Sequence, residues 1–329
     1  MLTLKRALSV LDPFVAILMA IVVVATLLPC SGRGAILFEF VANSGIVLLF
    51  FLHGAKLSRE AIVGGMLNWR LQLSTLAVTF VLFPILGLAL IRIPGLDPAL
   101  AAGLLYLALL PSTVQSSIAF TSMAGGNVSA AVCAATLSNL LGMFLTPLLV
   151  AIFMQVPGVR IQVSLDSVKN IAIQLLLPFV VGHLARPWIG AWIGRHKTLV
   201  GRVDRAAILL VVYTAFSAAV VAGLWSRVSV ASLIVMIVIS VALLVFVMSA
   251  CWWIGRCLDL DREDSIALLF CGSKKSLASG VPIAGTLFPA TQVGLIILPL
   301  MIFHQIQLIA CALIARQIAH KSMKQSRSE

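Results

Sequence analysis

Long apolar runs alternate along the chain with short polar segments that carry most of the charge. Several of these runs exceed the roughly 18–20 apolar residues that an α-helix needs to cross a bilayer. The pattern predicts an all-α polytopic membrane protein. Its ten predicted spans lie at about residues 13–29, 35–56, 70–92, 99–123, 127–154, 168–186, 205–224, 229–255, 264–287 and 291–316.

Two of the predicted spans are interrupted by residues that break helices. The fourth is broken at Pro111-Ser112 and the ninth at Gly272-Ser273. If the ten spans divide into five and five, each broken span is the fourth of its half. An odd number of spans per half inverts the second half, which is the sequence pattern of an inverted-repeat transporter. We therefore expect a first repeat over residues 1–156, a second over 168–317, and a basic tail over 318–329.

Composition excludes an ordinary soluble domain, since 61% of the residues are hydrophobic and only 10% are charged. The net charge of +12 does not indicate nucleic-acid binding, because Lys and Arg gather in the cytoplasmic loops of membrane proteins. With the N-terminus placed in the cytoplasm, most Lys and Arg fall on the cytoplasmic side throughout the ten spans. This bias predicts a multi-pass membrane protein with both termini in the cytoplasm. The expected macromolecular environment is the lipid bilayer.

Lys274 and Lys275 lie within the ninth apolar span. A charged side chain at the bilayer centre costs about 2.5–3.5 kcal/mol on insertion scales, so such groups usually face a bundle interior or a water-filled cavity. Gly272, Ser273 and Ser276 flank the lysines, and small residues suit an opened helix whose backbone lines a site. The alternative is that both lysines lie near a helix end and extend to water.

An interrupted helix leaves unpaired carbonyls on one side of the break and unpaired N–H groups on the other. Two such helices that cross would form a polar site within the membrane. The expected substrate-binding and ion-binding residues are Ser112, Thr113, Gln115, Ser116, Ser117, Asn127, Ser273, Lys274, Lys275 and Ser276. Further cavity candidates are Gln72, Ser138, His304 and Gln307.

These candidates have alternative interpretations. Hydroxyl-rich helices also arise where small residues let helices pack closely. A histidine in an apolar span is more often packed or interfacial than a ligand, and no zinc motif is present. For the lysines, we hypothesise that an ammonium group takes the place of a bound cation among half-helix carbonyls. Either lysine would then change protonation during a transport cycle.

Enzyme chemistry is not expected. The sequence has no H-E-x-x-H motif, no G-x-S-x-G elbow and no paired carboxylates within the apolar spans. The six cysteines form no C-x-x-C pair, and most lie in apolar segments, where they fit as small buried residues. We expect no cofactor and no metal ion, with H⁺ or Na⁺ as the coupling ion.

Four segments resemble the bile acid:sodium symporter superfamily, and more closely the branch of YfeH-type symporters and the seventh vertebrate member of solute carrier family ten. They are Leu49-Phe50-Phe51-Leu52-His53-Gly54-Ala55-Lys56-Leu57, the stretch from Leu110-Pro111-Ser112 to Gly125-Gly126-Asn127, Gln174-Leu175-Leu176-Leu177-Pro178-Phe179, and Phe270-Cys271-Gly272-Ser273-Lys274-Lys275-Ser276-Leu277-Ala278. The resemblance covers nearly the whole chain. It implies two inverted five-helix repeats with crossing fourth and ninth helices. It also implies a panel domain of helices 1, 2, 6 and 7 and a core domain of helices 3–5 and 8–10.

The chain departs from the sodium-coupled members of that superfamily in the ninth helix. Those members carry an acidic residue two places before the glycine of the ninth-helix motif, where this chain has Phe270. They carry Gln-Asn after that glycine, where this chain has Lys274-Lys275.

Other departures lie in the fourth and fifth helices. Hydroxyl residues of the fifth helix correspond to Ala131 and Ala135, and the Ser-Asn pair of the fourth helix corresponds to Ser116-Ser117. A sodium ion would therefore meet too few oxygens to replace its hydration shell, which argues against sodium coupling.

The expected function is a secondary active transporter of the bacterial inner membrane, a symporter by family, that moves a small organic anion by alternating access. The anion character follows from the two lysines at the expected site. The alternative is a membrane regulator or sensor that keeps the transporter fold without transporting.

Overall fold

The computed structural model describes residues 13–56, 68–154 and 165–325. All regular secondary structure in these ranges is helical. The helices are α1 (Pro13–Leu27), α2 (Gly32–Lys56), α3 (Trp69–Leu90), α4 (Pro98–Leu109), α5 (Gln115–Met123), α6 (Val128–Phe153), α7 (Leu165–Arg195), α8 (Lys197–Val221), α9 (Leu224–Arg227), α10 (Val230–Cys257), α11 (Arg262–Gly272), α12 (Leu277–Leu287) and α13 (Ala290–Gln325).

Seven helices of the described chain are long and apolar enough to cross a membrane: α2, α3, α6, α8, α10 and the greater parts of α7 and α13. The helices on either side of the two predicted breaks are shorter, because each interruption divides one apolar stretch into two pieces. Many large apolar side chains are exposed on the outer surface. For example, Leu27 is 72% exposed and Trp188 is 80% exposed. This surface suits contact with lipid, and the protein is a multi-pass membrane protein.

Two helices extend beyond their predicted ends. α7 continues past residue 186 to Arg195, although Pro187 lies inside it. α13 continues past residue 316 to Gln325, so most of the predicted tail at 318–329 is helical. The residues that follow Arg316 contain neither Gly nor Pro, so nothing in the local sequence stops the helix there.

α2 and α7 cross with their backbones in direct contact. A Cβ atom added to Gly54 would lie 1.9 Å from the carbonyl oxygen of Phe179, and one added to Gly182 would lie 1.9 Å from that of Phe51. Only glycine fits at both positions, so each helix provides the space for the other's carbonyl group. Small residues at such crossings are a common means of helix association in membranes.

The remaining packing places the two interrupted regions at the centre. α1 and α2 pack on α8, and α2 also packs on α7. α4 packs between the second half of α3 and α13, while α11 contacts α3, α5, α6 and α10. The segments between α4 and α5 and between α11 and α12 therefore lie among α3, α6 and α13.

Candidate functional site

The first interruption separates α4 from α5 at residues 110–114. Leu110 precedes Pro111 and is extended, with φ −80° and ψ 157°, because a residue before proline is disfavoured in the α conformation. The backbone groups freed here find partners on α6. The N–H of Ser112 donates to Ser138 Oγ at 3.1 Å, and the carbonyl of Leu109 accepts from Thr146 Oγ1 at 2.9 Å.

The second interruption separates α11 from α12 at residues 273–276. Gln307 of α13 satisfies the backbone groups of Lys275 that the interruption leaves unpaired: its Oε1 accepts from the N–H at 2.9 Å, and its Nε2 donates to the carbonyl at 2.9 Å. Ser276 then starts α12, where its Oγ accepts from the N–H of Ser279 at 3.1 Å. A side-chain amide thus replaces the missing helical hydrogen bonds.

The two interruptions contact each other directly. The N–H of Ser276 donates to the carbonyl of Pro111 at 2.9 Å. Ser112 Oγ donates to the carbonyl of Cys271, and Ser117 Oγ donates to that of Phe270 at 2.9 Å. These hydrogen bonds show that the two broken segments meet, as the sequence predicts.

The ammonium group of Lys275 is fully buried, with 0% of the residue exposed. Its Nζ donates to three backbone carbonyls, those of Thr79 at 2.9 Å, Ala108 at 2.9 Å and Leu110 at 2.6 Å. It also lies 4.0 Å from the ring centroid of Phe83. Since an ammonium group has three donors, every donor of Lys275 is used. The alternative that this lysine extends to water is wrong.

The carbonyl of Thr79 is free to accept from Lys275 because α3 contains a π-helical turn at Val78–Leu82. In that turn, the N–H of Phe83 donates to the carbonyl of Val78 five residues earlier. The same spacing would require an N–H at Pro84, and proline has none. The role of the Thr79 carbonyl as a partner of Lys275 was not predicted, although Pro84 was a usable signal.

Lys274 is equally buried, with 0% of the residue exposed, but its surroundings differ. Its Nζ has no hydrogen-bond partner among the described residues. It lies 4.2 Å from the ring centroid of Phe120 and 5.5 Å from that of Phe270. Cation–π attraction is thus the main interaction of this amine. The two adjacent lysines therefore have different environments: one is saturated with carbonyls and the other is enclosed by aromatic rings.

Several other predicted site residues form hydrogen bonds within the two broken segments or on α13. Thr113 Oγ1 lies 2.9 Å from Ser116 Oγ and 3.2 Å from Ser117 Oγ, and Ser273 Oγ donates to the carbonyl of Leu269. His304 Nδ1 lies 2.8 Å from Gln307 Nε2. Gln72 is buried on α3, and its amide has no partner within the described part of the chain.

Asn127 is not part of the crossing. It caps the start of α6, where its Oδ1 accepts from the N–H of Ala130 at 3.0 Å. Its Nδ2 donates to Asp264 Oδ1 at 2.8 Å, near the start of α11. Asparagine is a preferred cap residue because its short side chain reaches the free N–H groups of the first helical turn. The structure therefore gives Asn127 a structural role away from the two interruptions.

A cavity of about 940 Å³ lies between the α2–α7–α8 group and the start of α5. Its charged lining consists of Lys56, Arg186, Lys197 and Asp204, and His183 and Gln115 add further polar groups. Lys56 and Asp204 form an ion pair. Gln115 is the predicted site residue that lines the cavity, whereas neither Lys274 nor Lys275 lines it. The basic lining was not predicted, because its members come from separate helices.

A second cavity, of about 270 Å³, lies toward the opposite end of α2. Its lining includes Glu39 and Asn43 of α2, Thr214 of α8 and Thr286 of α12. Both cavities therefore lie where α2 and α8 meet the helices that carry the interruptions.

No group of three or more His, Cys, Asp or Glu residues in the described ranges is arranged to hold a metal ion. The cysteines there are unpaired thiols, and Cys133, Cys251, Cys271 and Cys311 are buried. These cysteines pack as small side chains.

Comparison of the sequence with known proteins identifies the family of this chain. The model of the SBF-like CPA transporter family matches residues 12–320. A protein of Escherichia coli named "Putative symporter YfeH" is 53% identical over 310 residues, which cover 94% of this chain and 93% of that protein. An uncharacterized protein of Pseudomonas aeruginosa is 53% identical over 312 residues, 94% of this chain and 93% of its own length. More distantly, rat sodium/bile acid cotransporter 7 is 28% identical over 279 residues, 82% of this chain and 80% of its own. The chain therefore belongs to the SBF-like CPA transporter family.

Proposed function

We propose that this protein is a secondary active transporter that moves a small organic anion across the bacterial inner membrane by alternating access. The observation that carries the proposal is the contact between two interrupted helical segments around a buried ammonium group. Buried charges and broken helices both cost free energy in a membrane, so their combination in one place is typical of a functional site. The name of the E. coli relative, a symporter, is consistent with this function.

The proposed architecture has ten spans in two inverted repeats. α4 with α5 forms the fourth span, and α11 with α12 forms the ninth. A panel of α1, α2, α7 and α8 faces a core of the other spans. Support comes from the equivalent positions of the two interruptions in their halves and from their direct hydrogen bonds. The bias of Lys and Arg in the loops supports cytoplasmic termini.

In the proposed coupling scheme, the ammonium of Lys275 replaces a bound metal cation. Three carbonyl oxygens at 2.6–2.9 Å surround its Nζ, which is the environment that a small cation would otherwise need. Because this positive charge is covalently attached, the resting protein has no need of Na⁺ at this position. Lys274, which uses none of its three donors for hydrogen bonds among the described residues, is the candidate to exchange a proton during transport.

In the proposed transport cycle, the panel and the core rock against each other. The cavity of about 940 Å³ and the cavity of about 270 Å³ lie at opposite ends of α2, on the same boundary between panel and core. The larger cavity carries Arg186 and Lys197, which attract an anion. In the proposed orientation, the larger cavity lies on the cytoplasmic side, because the end of α2, the end of α7 and the start of α8 line it.

Uptake by purified protein in liposomes tests the proposal. Radiolabelled organic anions are offered with and without Na⁺ and at several pH values, and protein-free liposomes serve as the control. We expect saturable uptake that does not require Na⁺. Absence of uptake for every anion offered, in a preparation that retains cooperative thermal unfolding, would support the regulator alternative instead.

A further inference from the structure

The larger cavity contains more positive than negative charge. Asp204 is its one acidic lining residue, and this carboxylate pairs with Lys56. Arg186 and Lys197 then remain without an ion-pair partner among the described residues, and both line the cavity. Two positive charges in the lining are thus uncompensated.

Uncommitted hydrogen-bonding groups accompany these charges. His183 Nδ1 is buried and has no partner in the part of the chain that the structure describes. Asp204 Oδ1 is likewise buried without a partner. Gln115, at the start of α5, is exposed and lines the same cavity. Of these groups, Gln115 is the one that is exposed to a solute, whereas the Asp204 carboxylate opposes an anion and pairs with Lys56.

The first turn of α8 adds a favourable dipole. α8 starts at Lys197 after His196, which forms no side-chain cap. The N–H groups of this first turn therefore lack a side-chain acceptor, and the positive end of the helix dipole favours negative charge there. Gly194 and Gly201, on either side of this helix start, line the cavity, so a ligand can approach it closely.

We propose that this cavity binds a dianion, a compound with two negative charges such as a dicarboxylate or an organic phosphate. This inference rests on the proposed function and specifies the substrate class. A dianion compensates both Arg186, which is half-buried, and Lys197, which is exposed, whereas a monoanion leaves one of these two charges uncompensated. The apolar lining residues Ala55 and Ile193 accommodate the carbon skeleton.

Matched probe pairs test the charge requirement. Glutarate is compared with pentanoate, and phenyl phosphate with phenyl sulfate, since each pair differs mainly by one negative charge at pH 8. Binding to the purified full-length protein is measured by thermal shift and by calorimetry. We expect the dianion of at least one pair to bind about tenfold more tightly than its monoanionic partner, a difference of about 1.4 kcal/mol. Equal affinity within both pairs, or no binding of either dianion at millimolar concentration, would overturn the inference.

Variants of the lining residues test whether the preference for the dianion arises in this cavity. Arg186→Gln and Lys197→Gln are each expected to reduce the preference for the dianion to about threefold or less. Arg202→Gln, on an exposed position of α8 outside the lining, is the matched control and is expected to keep it. If Arg186→Gln fails to fold, Lys197→Gln provides the same test. A preference that survives in both cavity variants would place the dianion elsewhere and contradict the assignment.

Transport of the same probes across liposome membranes that contain the protein distinguishes a failure of this inference from a failure of the proposed function. Transport of monoanions at rates equal to those of dianions would overturn the dianion assignment and leave the transporter proposal intact. Tight dianion binding without any exchange would support the site and contradict transport.

Discussion

The side-chain amide of Gln307 forms two hydrogen bonds with the backbone of Lys275, both at 2.9 Å. Gln307 thereby satisfies an N–H and a carbonyl that the interruption between α11 and α12 would leave unpaired in a buried region. Both residues have 0% exposed surface, so water is not an alternative partner. The geometry of the crossing therefore depends on α13 as well as on the two broken segments.

Gln307→Leu is expected to lower the stability of the protein. The change leaves the buried N–H of Lys275 without its partner, at a cost of about 1–3 kcal/mol, and leaves the carbonyl only a longer contact of 3.5 Å with His304 Nδ1. A thermal-unfolding midpoint several degrees below that of the wild type, measured in detergent, would agree with this. The matched control is Gln305→Leu, because the Nε2 atom of Gln305 has no partner among the described residues. Equal midpoints for the two variants would show that the paired amide contributes little.

Gly54→Ala is expected to disrupt the crossing of α2 and α7. The new methyl group would lie 1.9 Å from the carbonyl oxygen of Phe179, so the helices must separate. Overpacking of this kind costs typically about 1–3 kcal/mol, and a backbone clash belongs at the upper end. Gly34→Ala on the same helix is the control, since its methyl group would meet nothing within 4 Å. Thermal unfolding should show a decrease for Gly54→Ala and no decrease for Gly34→Ala; the opposite order would refute the close contact.

Lys274→Met is expected to fold well and to alter the pH dependence of transport. Methionine keeps the length and the contact with Phe120 and Phe270, and it removes a buried polar group that has no hydrogen-bond partner among the described residues. If Lys274 is the group that exchanges a proton, uptake into liposomes becomes independent of pH in this variant. The control is Arg202→Gln, which should keep the profile of the wild type. A pH profile of Lys274→Met identical to that of the wild type would remove Lys274 from the coupling scheme.

The interruptions could be predicted because their causes are local. Pro111 lacks an N–H and restricts Leu110, and the Gly272-Ser273 pair weakens the helix where the two lysines follow. The depth of Lys274 and Lys275 within an apolar span likewise predicted that both amines avoid lipid. Their full burial confirms that these two residues do not extend to water.

The partners of the lysines were harder to predict, because they depend on backbone geometry and on distant helices. The free carbonyl of Thr79 requires a π-helical turn, which side-chain periodicity does not reveal. Asn127 was assigned to the site from its sequence context, but a cap position explains it better. Arg186 and Lys197 each resemble ordinary loop cations in the sequence, and only the packing of α7 and α8 places both on one cavity.

Lys275→Ala tests most directly the central claim that an attached ammonium group replaces a bound cation at the crossing. The variant leaves the carbonyls of Thr79, Ala108 and Leu110 without their donor, and the removed side-chain atoms correspond to n-propylammonium. Its thermal-unfolding midpoint is measured against the concentration of n-propylammonium, Na⁺ and, as a neutral control, n-propanol. The account predicts a low midpoint that rises saturably with n-propylammonium or Na⁺ but not with n-propanol, while the wild type responds to none of them. A wild type that requires Na⁺, or a variant as stable as the wild type and insensitive to every cation, would contradict it.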